Sequence, residues 1–327
     1  MTAPLTLTRP RPEDTAAIVD ALSDWQLTRW LTAVPWPYGP ADATAFITEA
    51  GLGEYAVRQG DRLLGMVRAS SSFGIWMAPF AQRQGLAERA SVMALSRRFL
   101  QRSADVEANC LQGNTPSAAL LSRLGFRPRV EVMLWSQPQQ RHLPGLSLGL
   151  TRADFARRHA IALTTPRLVI EPFRPADLPD LHRIATLPEV AAKLLLFHPD
   201  MTPEDMAPLF QSDGLLPPMR LTVRHQGQVA GSIGMSAGDP PRVFYFLDPA
   251  LAGQGLGEEM GRAFLAEIVA RFDPPELLAD VFLDNQPSRR LLKNLGFQRE
   301  EDRMLSSLAR SQPAPAAIYR WRRRVRA

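Results

Sequence analysis

The chain repeats itself, and that repetition limits what it can fold into. The stretch Gln82-Arg83-Gln84-Gly85-Leu86-Ala87, then Asn114-Thr115-Pro116-Ser117, then Leu124-Gly125-Phe126 returns later. Its second form is Ala252-Gly253-Gln254-Gly255-Leu256-Gly257, Asn285-Gln286-Pro287-Ser288 and Leu295-Gly296-Phe297. Gly85 and Gly255 stand 170 residues apart, and Asn114 and Asn285 stand 171 apart. Two collinear motif sets that differ by one inserted residue mark a tandem duplication. The fold must therefore close within about half of the 327 residues. That length suits two domains, each able to bury its own core without staples. The expected domains are residues 1–160 and 161–327, with a linker around Thr151 to Thr165.

Composition narrows the class. A single cysteine, Cys110, excludes an intramolecular disulfide and leaves no cysteine cluster for a metal. Met1 to Thr15 has no apolar leader, and no segment reaches 18 uninterrupted apolar residues, so a soluble cytoplasmic protein without a membrane segment is expected. The net charge of +5 is carried by arginine, with Lys193 and Lys293 the only lysines. The basic tail Arg320-Trp321-Arg322-Arg323-Arg324-Val325-Arg326 could touch nucleic acid. It is read instead as a solvated end, so no nucleic-acid partner is expected.

In order, each copy opens on a strand and a helix. Leu5-Thr6-Leu7-Thr8 alternates like a strand, and Leu168-Val169-Ile170-Glu171 matches it. Asp14 and Asp177 are placed to cap the first helix. Trp25, Trp30, Trp36, Tyr38 and Phe46 crowd the next stretch, where the second copy has only Phe197 and His198. These rings either form an aromatic wall for a substrate or fill core, and core filling is the commoner use. A hairpin follows in each copy (Tyr55 to Val67, Leu221 to Ile233), then a strand (Phe73 to Met77, Val243 to Leu247) that runs into the glycine loop. Next come an apolar-striped helix, a strand (Val106 to Leu111, Leu277 to Leu283), and a short helix with Pro116 or Pro287 in its first turn. The glycine of Leu-Gly-Phe suits the C′ position after that helix. Final strands close each copy at Pro144 to Arg152 and Pro315 to Arg323.

A strand ending in a glycine turn that opens a helix aims several backbone N–H groups at one point. The helix dipole adds positive potential, so the point suits a phosphate. Gly85 and Gly255 lack the Cβ that would block close approach or forbid the turn, and Ala87 and Gly257 keep the first helical turn small. A Walker A loop is excluded because neither copy has its lysine. A dinucleotide fingerprint is excluded because its last glycine falls on Glu258 or Met260.

The pattern Q-x-x-G-x-A, then N-x-x-S, then Leu-Gly-Phe resembles the GNAT superfamily of N-acetyltransferases, in its RimJ/RimL-like branch. The resemblance covers essentially the whole chain, once per half. Thr165 to Ile170 is similar to that branch's opening strand, and only Ala252 departs from the loop pattern. The resemblance implies an α/β (α+β) fold: a mixed, mostly antiparallel sheet, splayed at its centre and flanked by helices, repeated twice. It implies acetyl-CoA as the cofactor. Its pantetheine arm would bond main-chain groups of Trp76, Met77 and Ala78, or of Phe246, Leu247 and Asp248. Its pyrophosphate would lie on Gln82, Arg83, Gln84, Gly85, Leu86 and Ala87, or on Ala252, Gly253, Gln254, Gly255, Leu256 and Gly257. Asn114 and Asn285 match the family asparagine near the arm, and Ser117 and Ser288 match a hydroxyl position near the sulfur. Helix capping is an equal account of the asparagines and serines.

Acetyl transfer to an amine needs a proton acceptor for the nucleophile and a proton donor for the thiolate. Ser117 or Ser288 could serve as donor. Glu107 and Asp280 are the candidate acceptors, each with a surface or salt-bridged role as the alternative. The acceptor stays open between a protein N-terminus and a small-molecule amine, and no metal is expected. The rival reading is a CoA-binding protein in which one or both copies are inactive. The halves are expected to pair as an internal pseudo-dimer. The first copy, with its fuller loop motif and its aromatic stretch, is expected to carry more of any turnover.

Overall fold

The computed structural model describes residues 3–323. The chain divides into two compact units, Met1–His159 and Ala160–Ala327. Arg324, Val325 and Arg326 of the basic tail lie outside the described residues. The arginines in the described part of the tail are occupied by acidic residues of their own unit. Arg320 pairs with Glu276 at 2.6 Å, Arg322 with Glu300 at 2.7 Å, and Arg323 with Asp273.

The first unit contains strands β1 (Leu5–Thr8), β2 (Glu54–Gln59), β3 (Arg62–Ala69), β4 (Ser72–Met77), β5 (Val106–Leu111), β6 (Arg127–Ser136) and β7 (Arg141–Leu150). Its helices are α1 (Thr15–Leu22), α2 (Trp25–Thr28), α3 (Pro40–Glu49), α4 (Leu86–Gln101), α5 (Thr115–Leu124) and α6 (Arg152–His159). The sheet order is β1-β2-β3-β4-β5-β7-β6, antiparallel throughout except where β4 meets β5. Period-2 burial in β1 and β5 puts Leu5, Leu7, Val106 and Ala108 into the core.

The second unit repeats the plan with β8 (Leu163–Thr164), β9 (Leu168–Pro172), β10 (Met219–His225), β11 (Gln228–Met235), β12 (Val243–Leu247), β13 (Glu276–Phe282), β14 (Gln298–Leu305) and β15 (Ala314–Arg322). Its helices are α7 (Leu178–Ala185), α8 (Pro188–Ala191), α9 (Pro203–Met206), α10 (Leu256–Phe272) and α11 (Gln286–Asn294). The strands form two sheets, β12-β11-β10-β9-β8 and β13-β15-β14. This is the splayed, mostly antiparallel α/β architecture expected, present twice.

Two sequence expectations change at the level of side chains. Asp14 stands at the N-cap position of α1 but makes no side-chain bond to its first turn; it bonds back to the start of the 3-10 turn that leads into the helix. Its carboxylate accepts from the Arg11 N–H at 2.8 Å and from the Arg58 guanidinium at 2.6 Å, both ion-pair partners being buried. Asp177 likewise accepts from the Arg174 N–H at 3.1 Å, the Thr222 hydroxyl at 2.9 Å and Arg224 at 2.5 Å. An arginine on the facing strand takes the carboxylate, because a buried charge needs a charged partner more than a helix end needs a cap. The aromatic stretch also resolves. Tyr38 is buried with Ile18 and Leu22 in a core that Phe46 and Trp76 border, while Trp36 stays exposed beside Trp25, ring centroids 5.1 Å apart. Tyr38 and Phe46 thus fill core, while Trp25 and Trp30 are half-buried outside that cluster.

Candidate active site

The site in each unit begins where a sheet comes apart. In the first unit β4 and β5 run parallel and pair only at Ser72↔Glu107 and Phe73↔Ala108. Beyond those rungs the strands diverge. In the second unit the corresponding contact shrinks to one parallel bridge, Arg242↔Leu278, with the Leu278 N–H donating to the Pro241 carbonyl at 2.9 Å. Ladder alternation decides which main-chain groups face the gap. Ala78 donates back to Leu64 at 2.8 Å, and Asp248 to Ala230 at 2.8 Å. The neighbouring positions on each antiparallel strand therefore point their N–H and C=O away from that partner. So Met77 and Ile75, and Leu247 and Tyr245, present backbone to the gap. Trp76, Ala78, Phe246 and Asp248, which the sequence grouped with them, do not. The Met77 carbonyl also accepts from the Gln82 side chain at 3.0 Å.

The strand then turns into a long helix through a left-handed glycine. Gly85 (φ 73°) and Gly255 (φ 75°) are the N-cap residues of α4 and α10. A Cβ at Gly85 would meet nothing within 4 Å, and one at Gly255 only the Arg167 guanidinium at 3.7 Å. The glycines are thus required by backbone conformation, and the space above them is open. The first-turn N–H groups of each helix have no intrahelical acceptor and face that space. Side chains differ between the copies. Arg83 and Arg89 are exposed at the first loop. At the second, Gly253 and Glu259 take those places. Glu259 is bonded by Arg167 at 2.7 Å and by the Thr165 hydroxyl at 2.6 Å, and Arg167 also donates to the Gln254 carbonyl at 2.8 Å. Hydrogen bonds to Thr165 and then Arg167 hold the Glu259 carboxyl below its usual range. Gln84 ties its amide to the Phe80 carbonyl at 2.8 Å, and Ala252 is exposed. Leu256 is buried, and a Cβ at Gly257 would press on Leu291 at 3.3 Å.

Asn114 and Asn285 cap helices, as their alternative reading requires. Asn114 accepts from the Ser117 N–H at 3.3 Å and Asn285 from the Ser288 N–H at 3.2 Å. Gly125 (φ 96°) ends α5 and Gly296 (φ 89°) follows α11, with Phe126 and Phe297 docked in the core. The serine side chains remain half-buried. Ser288 has a neighbour that motif reading missed. The Tyr245 hydroxyl is closed off from solvent and lies against the Ser288 side chain, without a well-formed hydrogen bond. Burial pushes this phenol up to about 12. The first copy has Ile75 at the same position, so the difference between aligned repeats was the available signal.

Glu107 stands at the joined end of the splay. Its carboxylate is 64 % exposed and pairs with Arg129 at 3.2 Å. That position gives it no approach to the gap beyond Phe73↔Ala108. Asp280 is different: its side chain is 9 % exposed, one oxygen accepts from Arg242 at 2.8 Å, and Oδ1 is solvent-excluded without a partner. The far side of each gap is closed by the last hairpin. In the first unit the Gln137 N–H donates to Thr32 at 2.8 Å and the Gln139 side chain to Arg29 at 3.0 Å. In the second, Ser307, Leu308 and Arg310 bond to Leu194, Leu195 and Ala192 at 2.6, 3.1 and 2.8 Å. No group of metal-ligating side chains occurs among the described residues. No helix among them is long and apolar enough to cross a membrane.

Comparison with known proteins follows this geometry. No curated protein sequence matches the chain. Among solved structures, a GNAT-family acetyltransferase from Bacillus anthracis is 18 % identical over 50 % of this chain and 98 % of its own, with a TM-score of 0.43. A ribosomal-protein acetyltransferase, RimL, in complex with coenzyme A has the same four values. A Salmonella typhimurium acetyltransferase that modifies the N-terminal serine of a ribosomal subunit protein is 18 % identical over 49 % of this chain and 97 % of its own, with a TM-score of 0.43. A family model described as an acetyltransferase (GNAT) domain matches residues 4–127 and again residues 167–298. The chain therefore belongs to the GNAT acetyltransferase family and carries that family's domain twice.

Proposed function

We propose that the protein is an acetyl-CoA-dependent N-acetyltransferase that moves an acetyl group directly to a primary amine. One observation carries the reading: in each unit a parted pair of strands and a helix begun by a left-handed glycine lie at the same end of the sheet. The gap offers unpaired main-chain groups to an amide-bearing arm, and the helix start offers N–H groups to a pyrophosphate. The open space above Gly85 and Gly255 fits such a ligand. When bound, acetyl-CoA supplies the activated acetyl thioester.

The chain's residues divide the remaining tasks. Main-chain N–H groups on the gap side of β4 and β12 polarise the carbonyl under attack. Asp280, whose oxygen Oδ1 is unpartnered but enclosed, takes the proton that the amine must shed once the bound acceptor displaces the side chains that cover it. Ser288 donates towards the departing sulfur, and the buried Tyr245 phenol packs against its side chain and shields it from solvent. In the first unit Ser117 has only Ile75 at the equivalent position, and Glu107 is exposed and ion-paired. We therefore assign more of the turnover to the second unit, against the weight that the loop motif alone gives the first. Holding both reactants in one gap accounts for much of the rate.

The test is thiol release from acetyl-CoA across a panel of amines and peptide N-termini, with calorimetry of CoA binding beside it. Binding and turnover are expected. An absence of CoA binding at millimolar concentration would sink the reading.

A further inference from the structure

Among the described residues, Arg220 is a buried cation without an anion. It is 8 % exposed, at the start of β10. Its guanidinium carbon lies 4.1 Å from the Phe244 ring centroid, 5.3 Å from that of Phe197 and 5.4 Å from that of Phe210. No ion pair or side-chain hydrogen bond of this guanidinium occurs among the described residues. Its nitrogens are not among the solvent-excluded unpartnered atoms, so its tip still meets solvent. Burial lowers its pKa to about 10, which leaves it charged at neutral pH. Three phenyl faces attract a cation and partly offset its desolvation, but they do not neutralise it.

The arrangement is built across three strands. Arg220 pairs with Gly234 on β11, and Gly234 pairs with Phe244 on β12. A Cβ at Gly234 would come within 2.6 Å of the Phe244 ring, so the glycine lets the ring and the guanidinium meet over the middle strand. The first unit has the opposite arrangement at the corresponding rungs: Glu54 pairs with Arg68, and Arg68 with Gly74. There the carboxylate has its own cation at 4.0 Å. In the second unit the charge is reversed and the cross-strand partner is deleted.

The location links this charge to the acceptor. Phe244 is two residues past Arg242, the last residue bridged to β13. Alternation puts Arg242, Phe244 and Phe246 on one face of β12. That face meets Phe197, and Arg242 reaches Asp280. Tyr245 lies on the other face, against Ser288. Phe197 lies two residues past Leu195, in the segment that the β14–β15 hairpin pins at Ala192, Leu194 and Leu195. The unpaired guanidinium thus stands on the face that carries Asp280, the side from which an amine would approach.

We propose that Arg220 holds a carboxylate of the acceptor, so that the second unit acetylates an amine bearing a carboxylate, of amino-acid type. The proposal rests on the acetyltransferase reading above. One guanidinium balances one negative charge, and its planar fork matches a carboxylate in two parallel hydrogen bonds. A doubly charged phosphate would leave excess negative charge among phenyl rings.

Matched acceptors test this on the intact chain: glycine, β-alanine, γ-aminobutyrate and δ-aminovalerate, each against its own amide. A dipeptide amide with a glutamate side chain separates an acidic peptide from a free amino acid. Thiol release gives kcat/KM. Saturation-transfer NMR of the same pairs, with and without CoA, gives binding independently of turnover. At least one carboxylate should exceed its amide by about tenfold or more, with the gain lost in Arg220→Gln and partly kept in Arg220→Lys. CoA affinity should not change in either variant. Equal behaviour of every acid and its amide in the unaltered chain overturns the proposal even if the variants fold poorly. So does a carboxylate preference that survives Arg220→Gln. Failure of CoA binding, with the carboxylate preference still seen by NMR, would instead remove the acetyltransferase reading and leave the anion site standing.

Discussion

Arg83 and Gly253 occupy the same left-handed corner of the two glycine loops, at φ 59° and 77°. Glycine is at ease there, whereas an arginine bears a cost of about 1–2 kcal/mol. The first loop therefore keeps a cation where backbone ease alone would place glycine, next to an exposed Arg89. The second loop has instead the Arg167–Glu259 pair, which is neutral overall. CoA binding to the first unit should weaken more steeply with salt than binding to the second. Arg83→Gly should reduce the first site's affinity about two- to fivefold and flatten its salt dependence, as calorimetry at low and high ionic strength would reveal.

Gly85 and Gly255 should tolerate asparagine better than valine. Both positions are open, so the obstacle is the positive φ, which asparagine visits and a β-branched residue resists. Gly255→Val should abolish CoA binding in the second unit while the first still binds. Gly255→Asn should retain most of it. Equal loss in both variants would mean that the side chain blocks the ligand and the turn is not the issue.

Breaking the buried pair at the start of each unit should have unequal effects. Asp14→Ala leaves Arg58 buried without a carboxylate, a loss of about 3–5 kcal/mol. Asp177→Ala leaves Arg224 with Glu171 at 2.7 Å, so a smaller loss of about 1–3 kcal/mol is expected. Hydrogen exchange resolved by unit in the intact chain would separate the two.

Tyr245 predicts alkaline behaviour. Its folded-state pKa is raised from 10.0 to about 12 by burial, so the neutral phenol is the form that folding favours. That contribution is complete below pH 10, where both states are protonated. It is lost as pH rises towards 12, by about 1.4 kcal/mol per pH unit. Tyr245→Phe should remove this loss and leave neutral-pH stability within about 1 kcal/mol, because the hydroxyl has no well-formed partner. Thermal melts across alkaline pH would show it.

Ser288→Ala should slow turnover more than Ser117→Ala, about tenfold or more against a few-fold. Tyr245→Phe should fall between them and should shift the alkaline limb of the rate profile. Equal small effects of the two serine changes would leave the thiolate to be protonated by water.

The repeat, most of the strands along the chain and both glycine loops were legible because each depends on local pattern: alternation, capping and a left-handed turn; β6 and β14, whose polar, exposed sequences carry no clear alternation, were not. The helix ends at Gly125 and Gly296 followed for the same reason. What escaped depends on contacts between distant strands. Asp14 looks like a cap until Arg58, on the strand facing it, takes its carboxylate. Trp76 and Ala78 look equivalent to Met77 until pairing with β3 turns their backbone away from the gap. Arg220 and Tyr245 match no motif; what sets them apart is that the first copy has Glu54 and Ile75 in their places.

The single bridge at Arg242↔Leu278 has a mechanical consequence. The first unit's two halves are riveted by two rungs, the second's by one, so the second behaves as two leaves on one pin. Backbone bonding resists their parting least, and the leaves can widen without unzipping a ladder. The Leu278 amide, which sits on the pin, should report each opening by exchanging its hydrogen earlier than its neighbours in β13.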